Sequence, residues 1–100
     1  MLRFIRTGTV KTAALTPKAM GYAMELTGWL NKKYDVNIQV GGELFGSLKV
    51  HWHMEMPDLA TIEEFNKKIM QDSEYWAFLD KGNDFWVEGS LKDTVVSIMD

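Results

Sequence analysis

Hydrophobic and polar side chains alternate most regularly over residues 48–56. One parity is apolar and the other polar: Leu48, Val50, Trp52, Met54 and Met56 against Lys49, His51, His53 and Glu55. Because successive side chains of a strand point to opposite faces, this pattern predicts a strand with one buried and one polar face. Less regular alternation predicts strands over residues 1–11, 35–40 and 91–99. Gly8 indicates a bulge or a close approach in the first of them.

The second predicted strand runs into a pair of glycines. Gly41-Gly42 is expected to interrupt it, with residues 43–45 continuing the strand past a bulge. Gly46-Ser47 is the candidate for the hairpin turn before residues 48–56.

Two other stretches have helical spacing. Thr16-Pro17 suits a helix start, and the stripe that follows predicts an amphipathic helix of about 17 residues: Ala19, Ala23, Leu26, Leu30 and Tyr34. Thr61 and Glu64 fit a capping box, which predicts that a second helix begins at Thr61. A further helical piece is predicted from Asp72 or Ser73, with Trp76 and Leu79 facing inward and a stop at Gly82.

The resulting order, β-α-β-β-α-β, predicts a ferredoxin-like α+β fold over residues 1–100 as a single domain. Its four-stranded antiparallel sheet would carry two helices on one face. Between sheet and helices we expect Trp52, Met54, Met20, Met24, Phe65, Ile69 and Trp76. These side chains either fill a core or line an apolar pocket for a small molecule. Tyr22, Tyr75 and Trp29 are candidate donors at the edge of such a pocket, because their polar tips can reach water or ligand.

Composition narrows the function classes. The 100 residues include 46% hydrophobic residues and no cysteine, which excludes a disulfide framework, a thiolate metal site and a cysteine nucleophile. No apolar run is long enough for a membrane span or a signal peptide, so no membrane partner is expected and a cytoplasmic location is the default. The net charge is −3 and the only adjacent basic pairs are Lys32-Lys33 and Lys67-Lys68, so we expect no basic stripe for nucleic acid.

His51 and His53 lie on one face of the third predicted strand together with Glu55. Alternate side chains on a strand stand roughly 6.6–7 Å apart, so two imidazoles and a carboxylate could converge on a metal ion. The same pair could instead serve a subunit interface, where a histidine titrates near neutral pH. We expect no metal and no cofactor in the native protein.

Several short segments resemble a known superfamily. Residues 49–54, 57–60 and 72–79, with Gly89-Ser90 before the last strand, are similar to the dimeric α/β-barrel proteins. The likeness is greatest to the NIPSNAP-like and antibiotic-biosynthesis-monooxygenase-like branches. It implies a homodimer in which two sheets close face to face into a barrel, with a pocket in each protomer.

The resemblance also bears on chemistry. Haem-degrading members use a histidine on the second helix, and residues 61–81 contain none, which argues against haem binding by that route. In the oxygenase branch a helical Trp and nearby polar groups attend an aromatic substrate, and Trp76 and Asn66 are the candidates here.

Two functional hypotheses remain. The first is binding of a small hydrophobic metabolite, fatty-acyl-like or aromatic and polyketide-like, with cofactor-independent oxygenation or isomerisation left open. In an enzyme of that kind, acid–base catalysis would fall to His51, His53, Tyr22 or Tyr75. The second is a non-catalytic homodimeric module with a filled core.

Overall fold

The computed structural model describes residues 1–43 and 47–99, and its centre is one antiparallel sheet. The sheet has four strands, β1 (Leu2–Thr9), β2 (Ile38–Gly42), β3 (Lys49–Met56) and β4 (Lys92–Ser97). Their spatial order is β2-β3-β1-β4, and each neighbouring pair is antiparallel. This confirms the predicted ferredoxin-like fold class.

Over residues 1–43 and 47–99, three helices cover one face of the sheet. They are α1 (Thr16–Tyr34), α2 (Leu59–Met70) and α3 (Ser73–Lys81), with short 3₁₀ turns at Ala13–Leu15 and Asn83–Phe85. The second predicted helix is therefore two consecutive helices, as the recapping signal near Asp72 indicated. None of the helices described over residues 1–43 and 47–99 is both long and apolar enough to cross a membrane.

The helix α2 starts earlier than the capping box predicted. Its N-cap is Asp58, whose side chain accepts from the backbone N–H of Thr61 at 2.8 Å. The Thr61 hydroxyl donates to the same carboxylate oxygen at 2.7 Å, so Thr61 supports the cap from inside the first turn. A carboxylate is an equally good cap acceptor, so Asp58 can cap the helix three residues before Thr61.

The second strand is also displaced from its prediction. Gly41 and Gly42 belong to β2 and pair with His51 and Val50, so they do not interrupt the strand. Residues 35–37, which the prediction included in the strand, connect α1 to β2. Asp35 ends the helix and adopts a left-handed φ of 52°. The Asn31 side chain then bonds both the N–H and the C=O of Ile38, which fixes where β2 begins. The predicted continuation over 43–45 and the Gly46-Ser47 turn involve residues 44–46, which lie outside the described residues.

The main core lies between the helices and the sheet. Its buried members come from every helix and from β2 and β3: Tyr22, Leu26, Leu30, Ile62, Ile69, Tyr75, Ile38, Met54 and Met56. The parity predicted for β3 is confirmed, since Val50, Met54 and Met56 are buried while Lys49 and Glu55 are exposed.

Two side chains expected between sheet and helices lie elsewhere. Met24 is 62% exposed, because it lies about 130° around the helix from the centre of the buried stripe of α1. Trp76 is 50% exposed, and its indole donates to the Met70 carbonyl at the end of α2 at 2.7 Å. The inward position on α3 is taken by Tyr75, one residue earlier.

Candidate functional site

A cavity of about 440 Å³ opens between the helix-side face of the sheet and the helices α1 and α2. Most of its lining is apolar: Phe4, Leu26, Leu30, Ile38, Trp52, Met54, Ile62, Phe65, Ile69 and Met70. Five polar side chains complete it: Arg6, Glu63, Asn66, Tyr75 and Asp93. We call this space the first cavity. Trp52, Met54, Phe65 and Ile69 are thus brought together as the sequence predicted.

Arg6 is a polar residue of this cavity that the sequence analysis did not identify. It follows the inward parity of Phe4 in β1 and sits directly opposite Trp52 of β3. Its guanidinium holds Asp93 of β4 through two bonds, Nε–Oδ1 at 2.7 Å and Nη2–Oδ2 at 2.9 Å. The hydrogen bonds to Asp93 raise the pKa of Arg6, so its guanidinium stays charged. The parity of Arg6 was the available signal, since it places the side chain inward regardless of charge.

A second cavity of about 790 Å³ adjoins the first. Its outer wall is the segment 83–91, which lies against the end of β1 through backbone bonds from Lys11 to Phe85 and from Val87 to Thr9. Among the described residues, five line both cavities: Arg6, Leu26, Trp52, Met70 and Tyr75. These five side chains form a junction between one mostly apolar space and one more polar space.

The close approach predicted at Gly8 is confirmed at this wall. A Cβ at Gly8 would lie 3.2 Å from the Trp86 ring, which packs in turn on Trp52 with ring centroids 5.6 Å apart. Glycine at this position therefore lets Trp86 close the second cavity against the sheet.

The two tyrosines differ in what their hydroxyls can do. Tyr75 is 3% exposed and lines both cavities, and its hydroxyl lies 3.4 Å from Nη1 of Arg6. Tyr22 lines only the second cavity, and its hydroxyl donates to the Phe78 carbonyl at 2.7 Å. Burial raises the pKa of Tyr22 to about 12, so its proton is firmly held. Tyr75 is the better placed of the two to act on a ligand.

His51 and His53 occupy the other side of the sheet. Their rings stack with centroids 5.9 Å apart, and His51 Nε2 lies 2.9 Å from a carboxylate oxygen of Glu43. Burial lowers the pKa of His53, and the nearby charges of His51 and Arg3 lower it further. The sheet separates both imidazoles from Trp52 and Tyr75, so the structure does not bring the four predicted proton-transfer residues together. In the part of the chain that the structure describes, no three histidine, aspartate or glutamate side chains are grouped to hold a metal ion.

The remaining predicted ligand contacts are peripheral. Met20 packs on the smaller core around Val50, with its sulfur 3.5 Å from where a Gly42 Cβ would lie, and it lines neither cavity among the described residues. Met24 and Trp29 also line neither, and Trp76 borders only the second cavity.

Comparison with known proteins supports the fold. No protein-family profile matches this sequence, and no curated protein matches it. Among solved structures, an uncharacterized NIPSNAP domain protein from Burkholderia xenovorans aligns with a TM-score of 0.82 at 16% identity, covering 99% of this chain and 95% of that chain. A NIPSNAP family protein from Agrobacterium tumefaciens gives a TM-score of 0.82 at 14% identity, covering 99% and 93%.

A protein described as an antibiotic biosynthesis monooxygenase aligns with a TM-score of 0.71 at 10% identity, covering all of both chains. The structural neighbours are thus the two groups that the sequence resembled. At these identities the similarity establishes a shared fold.

Proposed function

We propose that this protein is a homodimer that binds a small hydrophobic metabolite, fatty-acyl-like or aromatic and polyketide-like, in the first cavity. The observation that carries the proposal is an apolar cleft of about 440 Å³ with a few polar side chains in its lining. Small-molecule sites typically occupy 300–1,000 Å³ and have this composition. A filled core, as the non-catalytic alternative requires, would not leave a space of this size. The fold shared with a protein described as a monooxygenase of antibiotic biosynthesis also favours a small-molecule site.

A ligand that fills the first cavity is expected to bind with modest affinity. Burial of apolar surface contributes roughly 25 cal/mol per Å², and association costs several kcal/mol. A ten-carbon chain or a fused ring is therefore expected to bind with a dissociation constant on the order of micromolar. Any acid–base step in the first cavity would fall to Tyr75, because it alone of the four predicted proton-transfer residues lines that space.

Titration with the apolar dye Nile red tests the binding proposal. We expect the dye to bind the folded protein and quench tryptophan emission, because Trp52 lies in the cavity wall. Trp52→Ala should change the dye affinity much more than His53→Ala, which alters the opposite face of the same strand. Met70→Ala, at a 38% exposed side chain that lines both cavities, provides a milder variant should Trp52→Ala fail to fold. Absence of dye binding by folded protein, or equal effects at Trp52 and His53, would contradict the proposal.

The homodimer is supported by the amount of surface that the chain exposes. Its accessible surface is 6743 Å², whereas a compact monomer of 11.5 kDa is expected to expose about 5,800 Å². The excess of roughly 900 Å² is comparable to the 800 Å² that each partner buries in a standard interface.

The open face of the sheet is the surface best suited to that interface. Apolar Ile5 and Val96 lie there among Thr7, His51 and His53, and Val96 is 42% exposed. Pairing two such faces would cover these side chains and both histidines.

A further inference from the structure

We infer that the homodimer dissociates in mild acid, because protonation of His53 at the centre of its interface places an unpaired charge between the two sheets. This inference rests on the proposed function and specifies how assembly of the dimer is regulated.

The position of His53 is the first observation. Its strand β3 is an inner strand, flanked by β2 and β1. Across the sheet, His53 pairs with Gln39 of β2 and Ile5 of β1, and Ile5 pairs in turn with Thr94 of β4. Directly opposite residues share a face, so these four side chains form a row across the middle of the open face. A second copy centred on this face would cover His53 and remove it from water.

The lack of a counter-charge at His53 is the second observation. No described side chain forms a hydrogen bond or an ion pair with its imidazole. Glu55, two residues along the strand, is bound to Arg3 at 2.7 Å. Burial lowers the pKa of His53, and the charges of His51 and Arg3 lower it further. His53 is therefore mainly neutral near pH 7, and no acidic partner in the described residues stabilises its protonated form.

The other charged groups on the open face do not supply such a partner. The described part of β2 places only Gln39 and Gly41 opposite the histidines, and Glu43 directly after β2 lies 2.9 Å from His51 Nε2. The Glu43 carboxylate thus serves the other imidazole. The remaining charged side chains on this face come from β1, β3 and β4: Arg3, Lys49, Glu55 and Lys92.

The sign of the pH dependence follows from the two environments of His53. In the free chain the side chain is only partly buried, so water can solvate an imidazolium. In the dimer that water is displaced, and the second copy brings its own imidazole into the same interface. Protons therefore bind the free chains more tightly, and the dissociation constant of the dimer rises as the pH falls below the His53 pKa of the free chain. With one proton per copy, the limit is about 100-fold per pH unit.

Sedimentation equilibrium at pH 7.5, 6.0 and 5.0 tests the inference on the wild-type protein, His53→Gln and His51→Gln. We expect the wild-type dissociation constant to rise roughly tenfold or more between pH 7.5 and 5.0. His53→Gln, which cannot take up a proton, should lose most of that rise. His51→Gln is the matched control from the same face and should keep it, because a proton on His51 is balanced by Glu43.

Proton NMR of the imidazole Cε1–H signals provides a second measurement that needs no stable variant dimer. The pKa of His53 should be lower in concentrated, dimeric wild-type protein than in dilute, monomeric protein. A wild-type dimer with the same dissociation constant at pH 7.5 and 5.0, an equal rise in His53→Gln, or a His53 pKa independent of concentration overturns the inference and leaves the homodimer intact. Wild-type protein that is monomeric at every pH overturns the proposed homodimer itself.

Discussion

The phenol ring of Tyr22 lies directly on the backbone of Gly82. A Cβ at Gly82 would fall 2.2 Å from the ring Cζ and 2.4 Å from Cε2, far inside contact distance. The ring has little freedom to move, because Tyr22 is buried and its hydroxyl is bound to the Phe78 carbonyl. The packing of Tyr22 from α1 therefore requires a residue without a side chain at position 82, directly after α3.

We predict that Gly82→Ala lowers the free energy of unfolding by about 1–3 kcal/mol through overpacking. The φ of −97° at Gly82 is accessible to alanine, so the loss would come from the clash and not from backbone strain. Urea unfolding followed by circular dichroism measures the change.

Gly28→Ala is the matched control. Gly28 lies within α1 and has nothing within 4 Å of its Cβ position, so alanine should stabilise the helix by up to about 1 kcal/mol. If both variants stabilise the protein, the packing of Tyr22 on Gly82 is wrong.

At the scale of elements, Asp72 joins the end of α1 to the start of α3. Its carboxylate caps α3 by accepting from the Glu74 N–H at 3.0 Å, and it receives Lys33 at 2.7 Å and the hydroxyl of Tyr34. The hydrogen bond from Lys33, followed by that from Tyr34, lowers the pKa of Asp72 from 3.8 to about 2. The ionised form is thus favoured by the folded state.

Because the pKa of Asp72 is lowered in the folded state, the stability of the protein depends on pH. A lowered carboxyl pKa contributes stability above the unfolded pKa, and the contribution disappears as the pH falls through the folded pKa. We predict that Asp72→Asn, which retains a capping side chain, lowers the Tm at pH 6 and that the difference from wild type shrinks as the pH falls from about 4 to about 2. Thermal unfolding over that pH range checks it.

Glu74→Gln is the control for Asp72. Glu74 pairs with the same Lys33 at 3.2 Å, but its side chain is 67% exposed, and exposed pairs contribute little. A pH-independent Tm difference for Asp72→Asn, or an equal effect at Glu74, would contradict the assignment.

The elements that the sequence predicted are those with a local pattern. The alternation of β3 and the stripe of α1 recur over many residues, so their buried faces followed directly. The start of α2 was missed because Asp58 and Thr61 are both good caps, and spacing alone does not choose between them. Trp76 was misplaced because α3 carries adjacent apolar side chains at Tyr75 and Trp76, and spacing alone does not choose which of them faces inward.

The candidate site was predictable only in part. Its apolar wall and the inward direction of Arg6 follow from strand parity, whereas the pairing of Arg6 with Asp93, 87 residues away, has no local signal. The junction between the two cavities depends on how the segment 83–91 folds back on β1. No periodic pattern of hydrophobic residues in the sequence predicts that packing.

At the scale of the whole molecule, β4 exposes both of its faces. Val95 points to the helix side and is 45% exposed, while Val96 points to the open face and is 42% exposed. The two valines therefore differ in direction but hardly in exposure, which makes them a matched pair for testing the proposed dimer.

We predict that sedimentation at micromolar concentration gives about twice 11.5 kDa for the wild-type protein. Val96→Lys should shift the protein toward monomer, because it buries a charge next to Arg3 in the proposed interface. Val95→Lys should leave the mass unchanged. A wild-type monomer, or dissociation by Val95→Lys alone, would exclude a dimer that forms through the open face.

The central place of β1 has a consequence for how the chain is made. β1 leaves the ribosome before every element that pairs with it, and its β4 partner follows only after 87 further residues at the Arg6–Asp93 pair. Until then one edge of β1 lacks its strand, and contacts of such long sequence separation slow folding. An unpaired strand edge is also open to other chains, so the nascent protein is most prone to aggregate before β4 is in place.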